Sequence, residues 1–240
     1  RRTEVPIESL EGFVRQIIGW REFVRGIDLL HGERQAASNS WGHDRQLRPC
    51  WWTGSTGVAP LDDLIDGARR TGWAHHIQRL MVAGNIMTLC GVQPHEAWRW
   101  FMEMFVDSAE WVMGPNVFGM GICSDGGIFA TKPYICGSNY LLKMGDYRRG
   151  PWCDALDGLY WGFVERHRAA LAQNPRMSPI VRSLDRIDAE RRERITAARA
   201  LRERLTRAPG NDGKPACAPT KHGPHRVFDS NRTAPEESVP

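Results

Sequence analysis

The 240-residue sequence lacks any run of about 18 apolar residues, so it offers no membrane-spanning helix, and it shows no secretory leader. It lacks a Cys-x-x-Cys pair: the six cysteines stand singly at 50, 90, 123, 136, 153 and 217, which excludes zinc-finger spacing. Several of them lie in apolar runs, where reduced, buried thiols of a cytoplasmic protein are expected. Strand-like alternation is nearly absent, which predicts a mostly α class. Tyrosine is scarce, with four against ten tryptophans. The chain begins Arg1-Arg2-Thr3 without an initiator Met, which fits a fragment or a processed form.

What is present is enough for one sizeable core and a tail, since 41% of the residues are hydrophobic. The tryptophans suit either a large helical core or a flat ring ligand, and composition leaves both open. A net charge of +4 permits nucleic-acid binding without demanding it.

Helical spacing is clearest in six places. Residues 7–30 set Phe13, Ile17, Trp20, Phe23 and Val24 three and four apart, predicting an amphipathic helix. After a Gly, Ser and Pro-rich loop, helical pattern resumes at LDDLIDGARRTGW and HHIQRLMVAGNIMTLC. Pro94 then opens PHEAWRWFMEMFVDSAEWVM, with Gly114-Pro115 as its expected stop. DALDGLYWGFVERHRAALAQ and SLDRIDAERRERITAARALRERL follow, the second reading as a solvated, charged surface helix. Before them, residues 114–152 are glycine-rich, the kind of backbone that approaches ligands closely. Residues 208–240 carry no periodicity and are expected to form a disordered tail after a single helical unit over 1–207.

Polar chemistry gathers in two of these segments. In TGWAHHIQRLM, helical spacing puts Trp73, His76 and Leu80 on one face with Arg79 beside them, while His75 points about 100° away. An imidazole beside a guanidinium titrates below its usual range; two capping or core histidines are the plainer reading. Asp107, among Phe105, Val106 and Trp111, needs a partner, and Arg79 is available. The loop Trp51-Trp52-Thr53-Gly54-Ser55-Thr56-Gly57 offers indoles, hydroxyls and flexible amides, by itself a weak phosphate or ring-binding signal.

Taken in order, IIGWREFVRG, WTGST, GWAHHIQRLM, EWVMGPNVFGM, DGGIFATKPY, GSNYLLKMGDY and DGLYWGFVERHR resemble the bacterial cryptochrome and photolyase branch that contains the prokaryotic (6-4) photolyases. The resemblance covers residues 5–205. It implies an all-α FAD-binding catalytic domain, truncated at its N-terminus, that uses light-excited, reduced FAD to send an electron into a pyrimidine photoproduct flipped out of DNA. It implies catalytic positions at His76, as proton donor to the lesion, with Tyr134 and His75 beside it. The cofactor-binding positions it implies are Trp52, Thr53, Gly54, Trp73, Arg79, Asp107, Met113, Asn116 and Met120. Trp52 and Trp100 match an electron-transfer chain in which Phe101 replaces a tyrosine, and Met113 replaces a polar residue beside flavin N5. Arg21, Lys143, Arg148 and Arg149 are candidate DNA contacts.

Relatives in this branch often carry a four-iron cluster on four thiolates. The matching positions here are Pro60, Arg148 and Pro151, with only Cys153 nearby, so an iron-sulfur centre is expected to be absent. The family's N-terminal antenna domain and the loop that holds the FAD pyrophosphate would precede residue 1. The resemblance thus predicts a cytoplasmic, monomeric repair enzyme acting on damaged DNA. A flavin photoreceptor without repair activity and an inactive truncated remnant are the alternatives.

Overall fold

A computed structural model describes residues 5–210. The first helix runs unbroken from α1 (Ile7–Val14) through a π-helical segment, Arg15–Trp20, into α2 (Arg21–Ala36). It is longer than its periodicity suggested and faces differently. Of the five apolar positions that predicted it, only Val24 is buried; Phe13 is 65% exposed, and Trp20 and Phe23 pack against Phe129 with ring centroids 5.6 and 5.3 Å away. Spacing reveals that a helix has an apolar side, not what covers that side.

The body is built from α3 (Cys50–Thr53), α4 (Ala59–Thr71), the single turn α5 (His76–Gln78), a second π segment at Arg79–Gly84, and α6 (Asn85–Cys90). Every residue of α6 is buried. Its exposed-end problem is solved by two arginines: Arg166 donates to the Leu89 carbonyl at 2.9 Å and Arg202 to that of Cys90 at 2.8 Å, cations where the helix dipole is negative. Gly72 and Gly91, at φ 65° and 78°, end α4 and α6 in the left-handed conformation that glycine adopts without strain.

Next come α7 (Pro94–Met104) and α8 (Glu110–Gly114), then a third π segment, Pro115–Gly121. The expected single helix over 94–113 is therefore two. Phe105 is extended, and Val106 N–H donates to the Gly72 carbonyl at 2.8 Å, so a tertiary bond draws the chain out of the helix before Asp107. Conversely, Gly114-Pro115 does not stop the helix: Gly114 and Pro115 both keep helical backbone, and α8 runs on through the π segment to Gly121.

An irregular stretch leads to α9 (Ser138–Met144), with Asn85 holding both the N–H and the carbonyl of Cys136, at 3.0 and 3.1 Å. The chain ends in α10 (Pro151–Arg166), α11 (Arg168–Ala172), α12 (Ser178–Leu184) and α13 (Ala189–Leu205). The last is not merely a solvated element. Ala198, Leu201 and Leu205 are buried where it lies along α10. Two-residue strands, β1 (Gln46–Leu47) and β2 (Thr206–Arg207), pair antiparallel just beyond it, and Trp51 Nε1 donates to the Leu205 carbonyl at 3.0 Å. The core centres on Trp51 and Trp100, both fully buried and edge to face at 5.6 Å. No helix among the described residues is long and apolar enough to cross a membrane. The expected tail falls, from residue 211 on, outside the described residues.

Candidate functional site

All three π-helical segments meet at one cleft of about 830 Å³, a volume in the range of small-molecule sites. The first supplies Gln16 and Trp20, with Arg21 following; the second supplies Arg79 and Leu80; the third supplies Asn116, Val117 and Met120. π turns widen a helix by one residue and recur at functional sites. The second and third segments touch backbone to backbone, so that a Cβ on Gly84 would stand 2.7 Å from the Gly121 carbonyl oxygen. Thr88 Oγ1 lies between them, 2.8 Å from the Gly84 oxygen.

The turn after Gly72 carries the histidines. His75 caps α5: its Nδ1 accepts from the Ile77 N–H, and Gln78 Oε1 accepts from the His75 N–H, both at 3.2 Å. Its ring also borders the cleft. Trp73 precedes α5, so it does not share a helix face with His76 as the spacing suggested; the turn brings both to the cleft instead. His76 opens onto the cleft, and its proton affinity is held below the ordinary imidazole range by desolvation, then by His75 and Arg79. It is therefore neutral near pH 7, with one N–H to donate and one lone pair to accept.

Arg79 is fixed on three sides. Its two terminal nitrogens donate to the two oxygens of Asp107 at 2.8 and 2.9 Å, and its Nε donates to the Ala74 carbonyl at 2.8 Å. The guanidinium carbon lies 4.0 Å from the centre of the Phe105 ring. The pairing of Arg79 with Asp107 is thus present, although Asp107 lies in a loop and not within a helix. Both residues line the cleft, with Leu80, Phe101, Met113 and Val117 as apolar surface around them.

A protein-family model described as the FAD binding domain of DNA photolyase matches residues 13–140. The chain belongs to this photolyase family. It is 41% identical over 183 residues to a (6-4) photolyase of Agrobacterium fabrum, covering 72% of this chain and 36% of that protein. It is 26% identical over 165 residues to a deoxyribodipyrimidine photo-lyase of Streptomyces griseus, covering 61% of this chain and 33% of that protein. An uncharacterized protein of Acanthamoeba polyphaga mimivirus, R855, is 45% identical over 85 residues, 35% of this chain and 69% of the relative. The chain thus spans about a third of the length of the two named photolyases.

The photolyase cleft gathers most of the positions carried over from the sequence resemblance: Trp73, Arg79, Asp107, Met113, Asn116 and Met120, together with His75, His76 and Arg21. Others lie elsewhere. Trp52, Thr53 and Gly54 do not line it: Trp52 Nε1 donates to Glu103 at 2.8 Å, the Thr53 and Ser55 hydroxyls pair at 2.7 Å, and Gly54 ends α3 at φ 69° against Asp66. Here the local polar groups satisfy one another, leaving no open cradle. Trp100 contacts the ring of Trp51, and Phe101 stands between Trp100 and the cleft, 5.1 Å from Trp100. Tyr134, 38% exposed, sits outside the cleft lining, as do Lys143, Arg148 and Arg149; Arg149 donates to Asn139 at 3.0 Å.

Gln16, Trp20 and Trp111 also line the cleft, although none of them was marked as a site residue by the sequence. Gly19 and Pro115, each inside a π segment, were the available hint, because both loosen regular α-helical bonding.

Proposed function

We propose that the cleft holds the isoalloxazine ring of FAD and that the protein serves in light-driven repair of pyrimidine photoproducts in DNA, of the (6-4) type, with His76 passing a proton to the lesion. The observation that carries this reading is the Arg79–Asp107 pair, locked by two hydrogen bonds beside apolar walls, with a neutral imidazole opening onto the same cavity. The residues suit a flat, partly anionic ring. Leu80, Met113, Val117 and Met120 exclude water from its faces, and the Arg79 guanidinium favours negative charge at its edge. Reduced, light-excited FAD supplies the electron that opens the photoproduct.

His76, with no capping role, presents its imidazole to the cleft; because burial disfavours its charged form, it is expected to take up the proton it passes only when a lesion occupies the cleft, and to recover it afterwards. His75 braces the turn from which His76 projects. Arg21, a cation lining the cleft, is placed to meet a DNA phosphate, and Arg21 and Gln16 are the cleft's side-chain donors at the first π segment for a pyrophosphate, with Trp20 beside them. A weak grip on the FAD phosphates by this chain alone is the expected result. Pro60, Arg148 and Pro151 have no thiolate to offer, so we take the protein to lack an iron-sulfur centre; stoichiometric iron and sulfide in purified protein contradict this. We place it in the cytoplasm as a monomer acting on damaged DNA.

The test is blue-light reversal of a (6-4) photoproduct in an oligonucleotide by reduced, flavin-loaded protein. Repair is expected, and His76→Ala is expected to lower it by about 100-fold or more while flavin stays bound. Phe101 supports a second reading, a flavin photoreceptor, because a phenylalanine between Trp100 and the cleft is hard to oxidise and slows electron supply. Bound flavin with no repair, in wild type and His76→Ala alike, favours that reading.

A further inference from the structure

We propose that Phe105, which lies outside the cleft, is a positioning residue: its ring fixes the plane of the Arg79 guanidinium and so orients the cation that the cleft presents to its ligand. The proposal rests on the reading of the cleft as an isoalloxazine site, and goes beyond it by assigning a residue no motif marks.

The placement follows from the break between α7 and α8. Phe105 is extended, at φ −125° and ψ 132°, and Val106 and Asp107 form the turn that follows, with Ser108 N–H donating to the Phe105 carbonyl at 3.3 Å. Phe105 and Asp107 both reach Arg79, while Val106 between them is 83% exposed. The Val106 N–H bond to the Gly72 carbonyl, at 2.8 Å, sets the register of the triplet against the turn that carries Trp73, His75 and His76. Each partner then restrains a different freedom of one group. Asp107 holds the in-plane edge of the guanidinium through two bonds; Ala74 holds Nε; the Phe105 ring, 4.0 Å from the guanidinium carbon, holds its face.

The bonds to Asp107 and Ala74 run close to the guanidinium plane, so they restrain motion within that plane more than tilting out of it. Phe105 stops that tilting because it is itself immobile: 4% exposed and packed against Trp100 and Phe101, each with ring centroids 5.8 Å away. Phe101 borders the cleft, so the same aromatic group sets a wall of the site and the tilt of its cation.

The readout is Arg79 itself, followed by NMR in the chain as it stands. In wild type, the Arg79 Nε–H proton and side-chain methylene protons are expected to be shifted upfield by the Phe105 ring, with separate, slowly exchanging Nη signals. Phe105→Leu should collapse the Nη signals to one averaged resonance and abolish the upfield shift, and Phe105→Tyr should restore both. FAD titrated by fluorescence should bind about tenfold more weakly to Phe105→Leu and normally to Phe105→Tyr. Should Phe105→Leu fail to melt cooperatively, Phe105→Met carries the same test. Unchanged Arg79 signals in a folded ring-less variant overturn the positioning role, whatever the flavin does. Phe105-dependent Arg79 signals in a wild-type protein that binds no flavin instead overturn the isoalloxazine reading and leave the positioning intact.

Discussion

Gly84→Ala is expected to lower the melting temperature by about 10 °C, a loss of roughly 3 kcal/mol for a domain of this size. The added Cβ would meet not a side chain that can swing away but the backbone of Gly121, whose oxygen, carbonyl carbon and Cα all lie within 3.2 Å. Relief requires the second and third π segments to separate. That motion also breaks the Thr88 hydroxyl's bridge, 2.8 Å to the Gly84 carbonyl and 3.4 Å to that of Gly121. Because Arg79 stands at the head of one segment and Asn116 and Met120 on the other, the cleft should widen as stability falls. Gly67→Ala is the control. It lies inside α4 with nothing within 4 Å of a new Cβ, so removing backbone freedom should raise stability by about 0.5–1 kcal/mol. A thermal melt of both variants separates a steric effect from a general cost of replacing glycine.

Acidification should destabilise the fold well before carboxylates titrate. His43 is 5% exposed, with its ring 5.6 Å from that of His167 and 6.1 Å from that of Phe163. Burial first, then His167, Arg166 and Arg202, push its pKa from 6.5 down to about 3. Burial, then Arg166 and Arg202, bring half-buried His167 to about 4. In the unfolded chain both take up protons near pH 6.5, whereas the folded chain resists until pH 3 to 4. Between those limits the unfolded state binds more protons, so stability is full above about pH 7 and falls as pH drops toward the folded values. For His43 alone the loss from pH 7.5 to pH 5.0 should be about 2 kcal/mol. Urea unfolding at the two pH values measures it, and His43→Phe, which keeps a ring against Phe163, should remove about half of the difference, leaving the part due to His167. Equal pH dependence in wild type and variant would mean that His43 is already charged, or solvated, in the folded protein.

Much of this protein could be read from its sequence, and what could not has a common cause. Helix existence follows from spacing and from glycine: Gly72 and Gly91 end helices where the pattern ends because a left-handed residue was needed there. The Arg79–Asp107 pair was legible because an unpartnered carboxylate among apolar residues demands a cation. What spacing missed were features set by distant contacts. Phe105 leaves the helix because Gly72 and Arg79 claim its neighbours, α13 is half-buried because α10 lies beneath it, and Phe13 and Ile17 are exposed although their pattern reads as core. Within the site, His76 and Trp73 reach the cleft by a turn rather than a shared helix face; outside it, the Trp52 indole bonds Glu103 and the Thr53 hydroxyl bonds Ser55.

The central claim is that the cavity around Arg79 and Asp107 holds a flavin ring. Its most direct test is titration of FAD, followed by flavin fluorescence, into the wild-type chain and into Asp107→Asn, which keeps the shape of the pair but removes its charge. Saturable quenching at one FAD per chain is expected, with affinity about tenfold or more weaker in Asp107→Asn. Equal binding by the two proteins, or no saturable binding by a folded wild type, would contradict it.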